Sequence, residues 1–376
     1  MCKMVSKKYS LLVCASCLLI YLALLLFETE TRSKTNSRAS STSSPFINIA
    51  GLFNSIGLQS KFNPDPSQPV SVLVLTYMRS GSSLTGDILQ QSDGAFYVYE
   101  PFRSLGHKNA STFTISYANG TERQPPFSFN EETYNALYNW FTCNISRLAN
   151  IGLMDGFLNK GLKSRMFPIC YRKEMQNGKD QKLAIRMCAR ELQGICENSP
   201  FRIIKTIRIQ LQDIRNLLED LPNLKIVHLV RDPRATLSSQ ASLGMCSSRR
   251  GGQPGCTNKF CKRLENDVLA EERLMKLYPN RIMPVFYEDI AKHPLQTSKK
   301  MYDFIGAEFT LEAEAYIYNI TMAGLANNCV ICTTRSNSSE HVDTWKTKMK
   351  PEFINIVNER CNYVIKRYNF DEFPVT

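Results

Sequence analysis

Two stretches of this chain, residues 70–76 (VSVLVLT) and 224–230 (LKIVHLV), are almost continuously apolar and largely β-branched. A strand with one wet face alternates polar and apolar residues, whereas a strand covered on both faces does not. Each run is followed at once by a turn of small and basic residues and then by a helical pattern. That pattern is SSLTGDILQQ after the first run and a helix opening at Pro233 after the second. Parallel strands need such crossovers. The pair therefore constrains the chain to an α/β fold, a parallel sheet flanked by helices, with its sites at the carboxyl ends of the strands. Between the two runs, Leu211, Ile214, Leu217, Leu218 and Leu221 mark one helical face. Residues 282–287 read as a third strand. Residues 351–368 read as an amphipathic closing helix begun by Pro351, with Phe353, Ile354, Val357, Cys361, Val364 and Tyr368 along one side.

The size suits that fold. A chain of 376 residues, 43% hydrophobic, can bury a core and is not disordered throughout. Its 18 Gly and 17 Pro exclude a collagen-like or mucin-like chain. The balance of 46 Lys+Arg against 34 Asp+Glu leaves +12, which favours an anionic partner. Nucleic acid, anionic lipid and a phosphate- or sulfate-bearing ligand all satisfy that charge, and charge alone does not choose. With 4 His, a His-built metal site would use most of the supply.

Residues 11–27 (LLVCASCLLIYLALLLF) carry no charge; Lys3, Lys7 and Lys8 precede them and Glu28 and Glu30 follow. No small-x-small cleavage site comes after the run, which favours an uncleaved anchor over a signal peptide. The flanking lysines belong on the cytosolic side, so residues 1–10 form a cytosolic tail and the bulk of the chain is luminal. Asn-x-Ser/Thr acceptors at Asn109, Asn119, Asn144, Asn319 and Asn337 agree with a luminal location. So do the cysteines. Of 13 Cys, Cys2, Cys14 and Cys17 lie in or before the anchor, and the ten beyond it form disulfides by default in an oxidising lumen. Cys329 and Cys332 have the spacing of half a zinc site or a redox pair, but no second pair or thioredoxin-like strand accompanies them. Cys246, Cys256 and Cys261, around the Gly-rich stretch 249–255, are expected to pin a loop beside the second basic turn. Residues 28–69 read as a Ser/Thr-rich, glycosylated stem, and 70–376 as the folded luminal domain.

The first basic turn is Thr76-Tyr77-Met78-Arg79-Ser80-Gly81-Ser82-Ser83. Small residues between a strand and a helix let backbone N–H groups approach an anion at the helix N-terminus. Ser80, Ser82 and Ser83 add hydroxyls, Gly81 permits the turn and Arg79 supplies a fixed charge. The spacing of an ATP-binding GxxxxGK[ST] loop is absent. The second turn runs Arg231-Asp232-Pro233-Arg234-Ala235-Thr236-Leu237-Ser238-Ser239. Arg231 at a strand end and Ser239 two helical turns on suit a phosphate monoester. A capped turn or a local Arg231–Asp232 pair would explain either loop alone. Two loops of this kind, each after a buried strand, point instead to one ligand with two anionic groups.

The pair TYMRSGSS and LVRDPRATLSS resembles the two loops with which the sulfotransferase superfamily binds 3′-phosphoadenosine 5′-phosphosulfate (PAPS). More narrowly, the chain is similar to the Golgi carbohydrate 6-O-sulfotransferases that modify galactose, N-acetylglucosamine or N-acetylgalactosamine. The supporting segments are 96–101 (FYVYEP), 204–208 (IKTIR), Tyr287-Glu288-Asp289 and the region of Trp345, and the likeness covers essentially all of 70–376. It departs after Pro101, where FRSLGHK leaves the acceptor sugar open. The resemblance implies a P-loop-kinase-like parallel sheet, the 5′-phosphosulfate on residues 77–83 and the 3′-phosphate on residues 231–239. It also implies a Golgi type II membrane protein, a glycan or glycosaminoglycan acceptor, no metal and no nucleic acid partner, and it leaves the oligomeric state open.

Sulfuryl transfer is an in-line displacement that needs a base for the acceptor hydroxyl and cations for the leaving phosphate. Arg79 fits the second task. Glu100, a carboxylate at an expected strand end, fits the first, its structural alternative being an acid paired with a nearby Arg. His107 is the other candidate base, and His228, inside a strand, reads as core. Lys205 and Arg208 suit either a ligand-facing role or a solvated edge, and Trp345 either stacking or core packing. A tyrosine sulfotransferase and a non-catalytic glycosaminoglycan-binding protein are the competing functions.

Overall fold

Five runs of the chain pair into one parallel sheet: β1 (Val70–Leu75), β2 (Phe96–Tyr99), β3 (Phe201–Thr206), β4 (Leu224–Val230) and β5 (Ile282–Phe286), in the order β2-β3-β1-β4-β5. The structure is a computed structural model that describes residues 65–325 and 333–370. β1 lies at the centre, with Leu75 opposite Thr206 on one side and His228 on the other. The chain leaves β1 toward β2 and leaves β3 toward β4. The order therefore reverses beside β1, and the crevice of the sheet opens at its carboxyl end.

The absence of alternation in β1 and β4 has the expected cause. Leu73, Leu75 and Ile226 enter one core with Ile204, Trp140, Phe141 and Leu192. Val72, Val74 and Val227 enter a second core on the other face with Ile88, Met301, Tyr302 and Ile317. Burial of each such side chain contributes about 1.5–3 kcal/mol. Helix α1 (Ser82–Leu89) follows β1, α2 (Gln181–Glu197) precedes β3, and α3 (Pro233–Ser242) follows β4 with Pro233 at its first turn. The 26-residue α4 (Gly252–Leu277) packs against α3, with Phe260 and Leu264 beside Ala235 and Leu237 in one cluster.

Several expectations are refined. The leucine face starts as a tight 3₁₀ turn, Leu211–Ile214, before the short helix Arg215–Asp220, and Leu221 lies beyond its end. The third strand stops at Phe286, since Tyr287 opens a helix. The closing segment is two helices, α5 (Pro351–Arg360) and Asn362–Arg367. The break falls at Cys361, whose sulfur is bonded to Cys261 of α4. Among the described residues the other disulfides are Cys143–Cys196, Cys170–Cys188 and Cys246–Cys256. Cys246 and Cys256 thus close the loop between α3 and α4 as expected, whereas Cys261 ties α4 to the closing segment. Folded contacts begin slightly before residue 70, because the Asn223 amide holds the carbonyls of Asp65 and Gln68. Asn109, Asn119, Asn319 and Asn337 are exposed and Asn144 is half-buried. The apolar run 11–27, the stem up to residue 64, Cys329 and Cys332 lie outside the described residues. Among the described residues no helix is long and apolar enough to cross a membrane.

Candidate active site

The first loop folds back on itself through Ser80. The Thr76 hydroxyl meets Ser80 Oγ at 2.6 Å, and Ser80 Oγ donates to the Tyr77 carbonyl at 2.6 Å. Ser80 is fully buried, so its hydroxyl shapes the loop instead of presenting a donor to solvent. The turn then requires two positive φ angles, 70° at Arg79 and 89° at Gly81. A side chain at Gly81 is excluded twice, by that backbone and by the Tyr287 ring, 2.1 Å from where its Cβ would lie. Ser82 begins α1, and Ser83 Oγ reaches the Tyr99 hydroxyl at 2.9 Å, linking the loop to the end of β2.

In the second loop the Asp232 carboxylate caps α3 by accepting the Arg234 N–H at 2.8 Å. The same carboxylate receives the Arg234 guanidinium at 2.8–3.2 Å. Arg234 is buried, with its guanidinium 4.6 Å from the Trp345 ring centre. Pro233, Ala235, Thr236 and Leu237 are buried as well, so this stretch fixes the shape of the loop. Arg231, Ser238 and Ser239 keep partial exposure.

The two loops grip each other. Arg79 Nε donates to Ser239 Oγ at 3.0 Å, and Arg231 donates to the Arg79 carbonyl at 3.0 Å. Gln240 donates to the Met78 carbonyl at 2.9 Å. Arg231 also donates to the His341 carbonyl at 3.2 Å and lies over the Tyr287 ring at 4.3 Å. Arg79 is held below the ordinary guanidinium range, first by burial and then by the charges of Arg231 and Arg335. His341 is lowered chiefly by burial and by Arg335. Cations gathered where they repel one another make a site that favours an anion. Glu288 sits behind it, accepting the Asp232 N–H at 3.0 Å, and burial pushes its carboxyl up to about 7.

Glu100 directly follows β2 with φ 52° and is 2% exposed. Its Oε1 accepts from Lys205 Nζ at 2.8 Å, while Oε2 lies 3.4 Å from Arg208 Nε with no hydrogen-bond partner among the described residues. Lys205 is buried over the Tyr99 ring at 4.4 Å. The candidate base is thus embedded in an ion cluster, and neither Lys205 nor Glu100 lies on a solvated edge. Arg208 lines a cavity of about 780 Å³ that opens from Tyr77 and Met78 toward Gln240, Cys256 and Phe260. That volume is in the range of small-ligand sites. Lys259 and Arg263 also line it, and among the described residues no acidic side chain does. His107 is exposed on the short turn Leu105–His107, next to Gly106 in the cavity wall. Trp345 and His228 are both core residues.

Sequence reasoning misses Arg335, His341, Gln240 and the stacking of Tyr287 between Gly81 and Arg231. Of these, only Tyr287 carries a signal in the chain, through the matching segment Tyr287-Glu288-Asp289.

A model of the sulfotransferase family matches residues 71–311. Carbohydrate sulfotransferase 1 of Danio rerio is 25% identical over 346 residues, covering 82% of this chain and 80% of that protein. Carbohydrate sulfotransferase 6 of Homo sapiens is 28% identical over 359 residues, covering 86% and 87%. Among solved structures, mouse sulfotransferase SULT7A1 complexed with PAP shares 13% identity at a TM-score of 0.42, covering 82% of this chain and 88% of that one.

Proposed function

The chain belongs to the sulfotransferase family, and from that premise we propose that it transfers a sulfuryl group from PAPS to a carbohydrate hydroxyl, the 6-hydroxyl of galactose, N-acetylglucosamine or N-acetylgalactosamine. One observation carries this: Arg79 and Arg231 from two separate strand ends converge, each bonded to the other loop, beside Ser239. A ligand with one anionic group would need one such loop. A protein that merely adheres to glycosaminoglycan would need neither, because an exposed basic surface suffices for that.

In this mechanism residues 81–83 and Arg79 hold the 5′-phosphosulfate on a loop that Ser80 shapes from within, and Arg231 and Ser239 hold the 3′-phosphate. Arg79 neutralises the charge that grows on the bridging phosphate oxygen as the sulfur–oxygen bond breaks. Glu100 Oε2 takes the proton of the acceptor hydroxyl as its oxygen bonds to sulfur. Glu100 is buried behind Arg208, so this role requires Arg208 to swing toward the cavity when the acceptor enters. His107, exposed beside the same cavity, is the base if Arg208 stays in place. The 780 Å³ cavity, basic and partly aromatic, takes the acceptor sugar. We place the domain in the Golgi lumen on a type II anchor; the disulfides and the exposed acceptor asparagines support the luminal part of that reading.

Calorimetry of the full-length protein with adenosine 3′,5′-bisphosphate tests the donor assignment. Saturable binding of one molecule per chain is expected. Absence of binding to folded protein refutes it.

A further inference from the structure

Directly beneath the first loop lies a buried polar cluster that the transfer mechanism does not use. Arg263, Asp267 and Glu271 stand four residues apart on α4 and so share one face. The Tyr77 hydroxyl meets Asp267 Oδ2 at 2.8 Å and His228 Nε2 at 2.9 Å. His228 Nδ1 meets Glu271 Oε2 at 2.5 Å, and the Tyr368 hydroxyl donates to Glu271 Oε1 at 2.9 Å. The second Asp267 oxygen accepts the Leu211 N–H at 2.7 Å. Tyr77, His228, Asp267 and Glu271 are each at most 2% exposed.

The protons in this cluster can be counted. Three contacts in a row, Asp267–Tyr77, Tyr77–His228 and His228–Glu271, need three hydrogens if none is to be a bare clash of lone pairs. A tyrosine hydroxyl supplies one and a neutral imidazole supplies one. A third must therefore reside on the ring or on one of the carboxyl groups, whichever tautomer is chosen. The charges agree: that proton and Arg263, whose Nε is 3.7 Å from Asp267 Oδ2, together balance the two carboxylates. Two uncompensated carboxylates would not be stable at this depth.

We propose that His228 is a positioning residue for the donor loop: with Asp267 and Glu271 it carries one extra proton that fastens Tyr77 from below, so the hold of residues 77–83 on their ligand depends on pH. The groups facing this proton are Arg263, Asp267 and Glu271 from α4, Tyr77 from the loop, and Tyr368 from the closing segment. Arg367, paired with Glu272, lies at the outer edge. Burial holds Asp267 above the ordinary carboxylate range and raises the Tyr77 hydroxyl well above its own. The tyrosine therefore keeps its hydrogen. As pH rises and that proton leaves, one of the three contacts loses its hydrogen and Tyr77 is released.

Only the choice of ligand in the test rests on the PAPS assignment. In E271Q an amide N–H donates permanently to His228, the ring donates to Tyr77 and Tyr77 donates to Asp267, so all three contacts persist without the extra proton. Affinity for adenosine 3′,5′-bisphosphate is measured by calorimetry between pH 6 and pH 9 on full-length wild type, E271Q and Y77F, and the ratio between proteins cancels the titration of the ligand itself. Wild type is expected to lose roughly tenfold more affinity than E271Q across that range. Y77F is expected to bind roughly tenfold more weakly than wild type at pH 6 while melting within a few degrees of it. A constant wild-type to E271Q ratio, or wild-type affinity in Y77F, overturns the inference. Hydrogen exchange of residues 77–83 repeats the comparison without ligand. Protection that falls with pH in wild type but not in E271Q supports the inference, and identical profiles overturn it. If the bisphosphate does not bind wild type at all, the donor assignment fails and the exchange profiles still decide this one.

Discussion

Replacing Arg79 separates binding from folding. In the free protein the guanidinium donates a hydrogen bond to Ser239, worth about 0.5–1.5 kcal/mol net, and is repelled by Arg231 and Arg335. These effects oppose each other, so R79A should leave the melting temperature within about 4 °C of wild type. Binding of the donor loses a charge-assisted contact of about 1.5–3 kcal/mol, or roughly 10- to 150-fold in the dissociation constant for adenosine 3′,5′-bisphosphate. R79G adds a second comparison. Arg79 has φ 70°, a left-handed conformation that costs a residue with a Cβ about 1 kcal/mol or more. R79G should therefore be about 1 kcal/mol more stable than R79A in urea unfolding while binding equally weakly. Calorimetry and unfolding on the same preparations decide both points. Affinity within threefold of wild type in folded R79A would refute the assignment of Arg79 to the donor. A large drop in melting temperature would mark it as structural.

Glu100→Gln should lower turnover roughly 10²- to 10⁴-fold at saturating donor. It also leaves Lys205 buried without its carboxylate, at a cost of about 3–5 kcal/mol. The double variant E100Q/K205M should recover folding but not turnover; if it recovers both, Glu100 is not the base and His107 is the next residue to test. Glu288, raised to about 7 by burial from 4.5, contributes stability that is fully present below about pH 4.5 and lost as pH rises through 7. Its residual exposure screens the effect, so between pH 5 and pH 8 wild type should lose roughly 1–3 kcal/mol relative to E288Q, and parallel stability curves would contradict this. Mass spectrometry of the non-reduced protein should find Cys143–Cys196, Cys170–Cys188, Cys246–Cys256 and Cys261–Cys361; free thiols at Cys261 and Cys361 would argue against the packing of α4 on the closing segment.

What the sequence makes legible here is what is local. The burial of β1 and β4 on both faces is written in seven-residue runs, and each basic loop is contiguous, so Arg79, Gly81, Arg231 and Ser239 stand out from the amino-acid order alone. The closing segment keeps its apolar stripe across Cys361, so periodicity does not reveal the break, which coincides with a disulfide to a residue 100 positions away. The same holds for chemistry assembled from distant parts. His228 reads as a core residue and is one, yet its bonds to Tyr77 and Glu271 span 151 and 43 residues. Arg335 reaches the site from a segment with no phosphate-loop pattern. Of the two interpretations of Glu100, the structural pairing is present, with Lys205 as the closer partner and Arg208 beside it. Charge counting along the chain does not assign that pairing, because both cations lie more than 100 residues away.

Sulfuryl transfer to a sugar is the reaction that every residue role proposed above serves. The most direct measurement incubates full-length protein with radiolabelled PAPS and, in parallel, oligosaccharides ending in galactose, N-acetylglucosamine or N-acetylgalactosamine and a tyrosine-containing acidic peptide. Label is expected on a sugar, at its 6-hydroxyl, with none on the peptide and a large loss in R79A. Label on the peptide, or no transfer to any sugar by folded protein that binds the bisphosphate, would contradict the account.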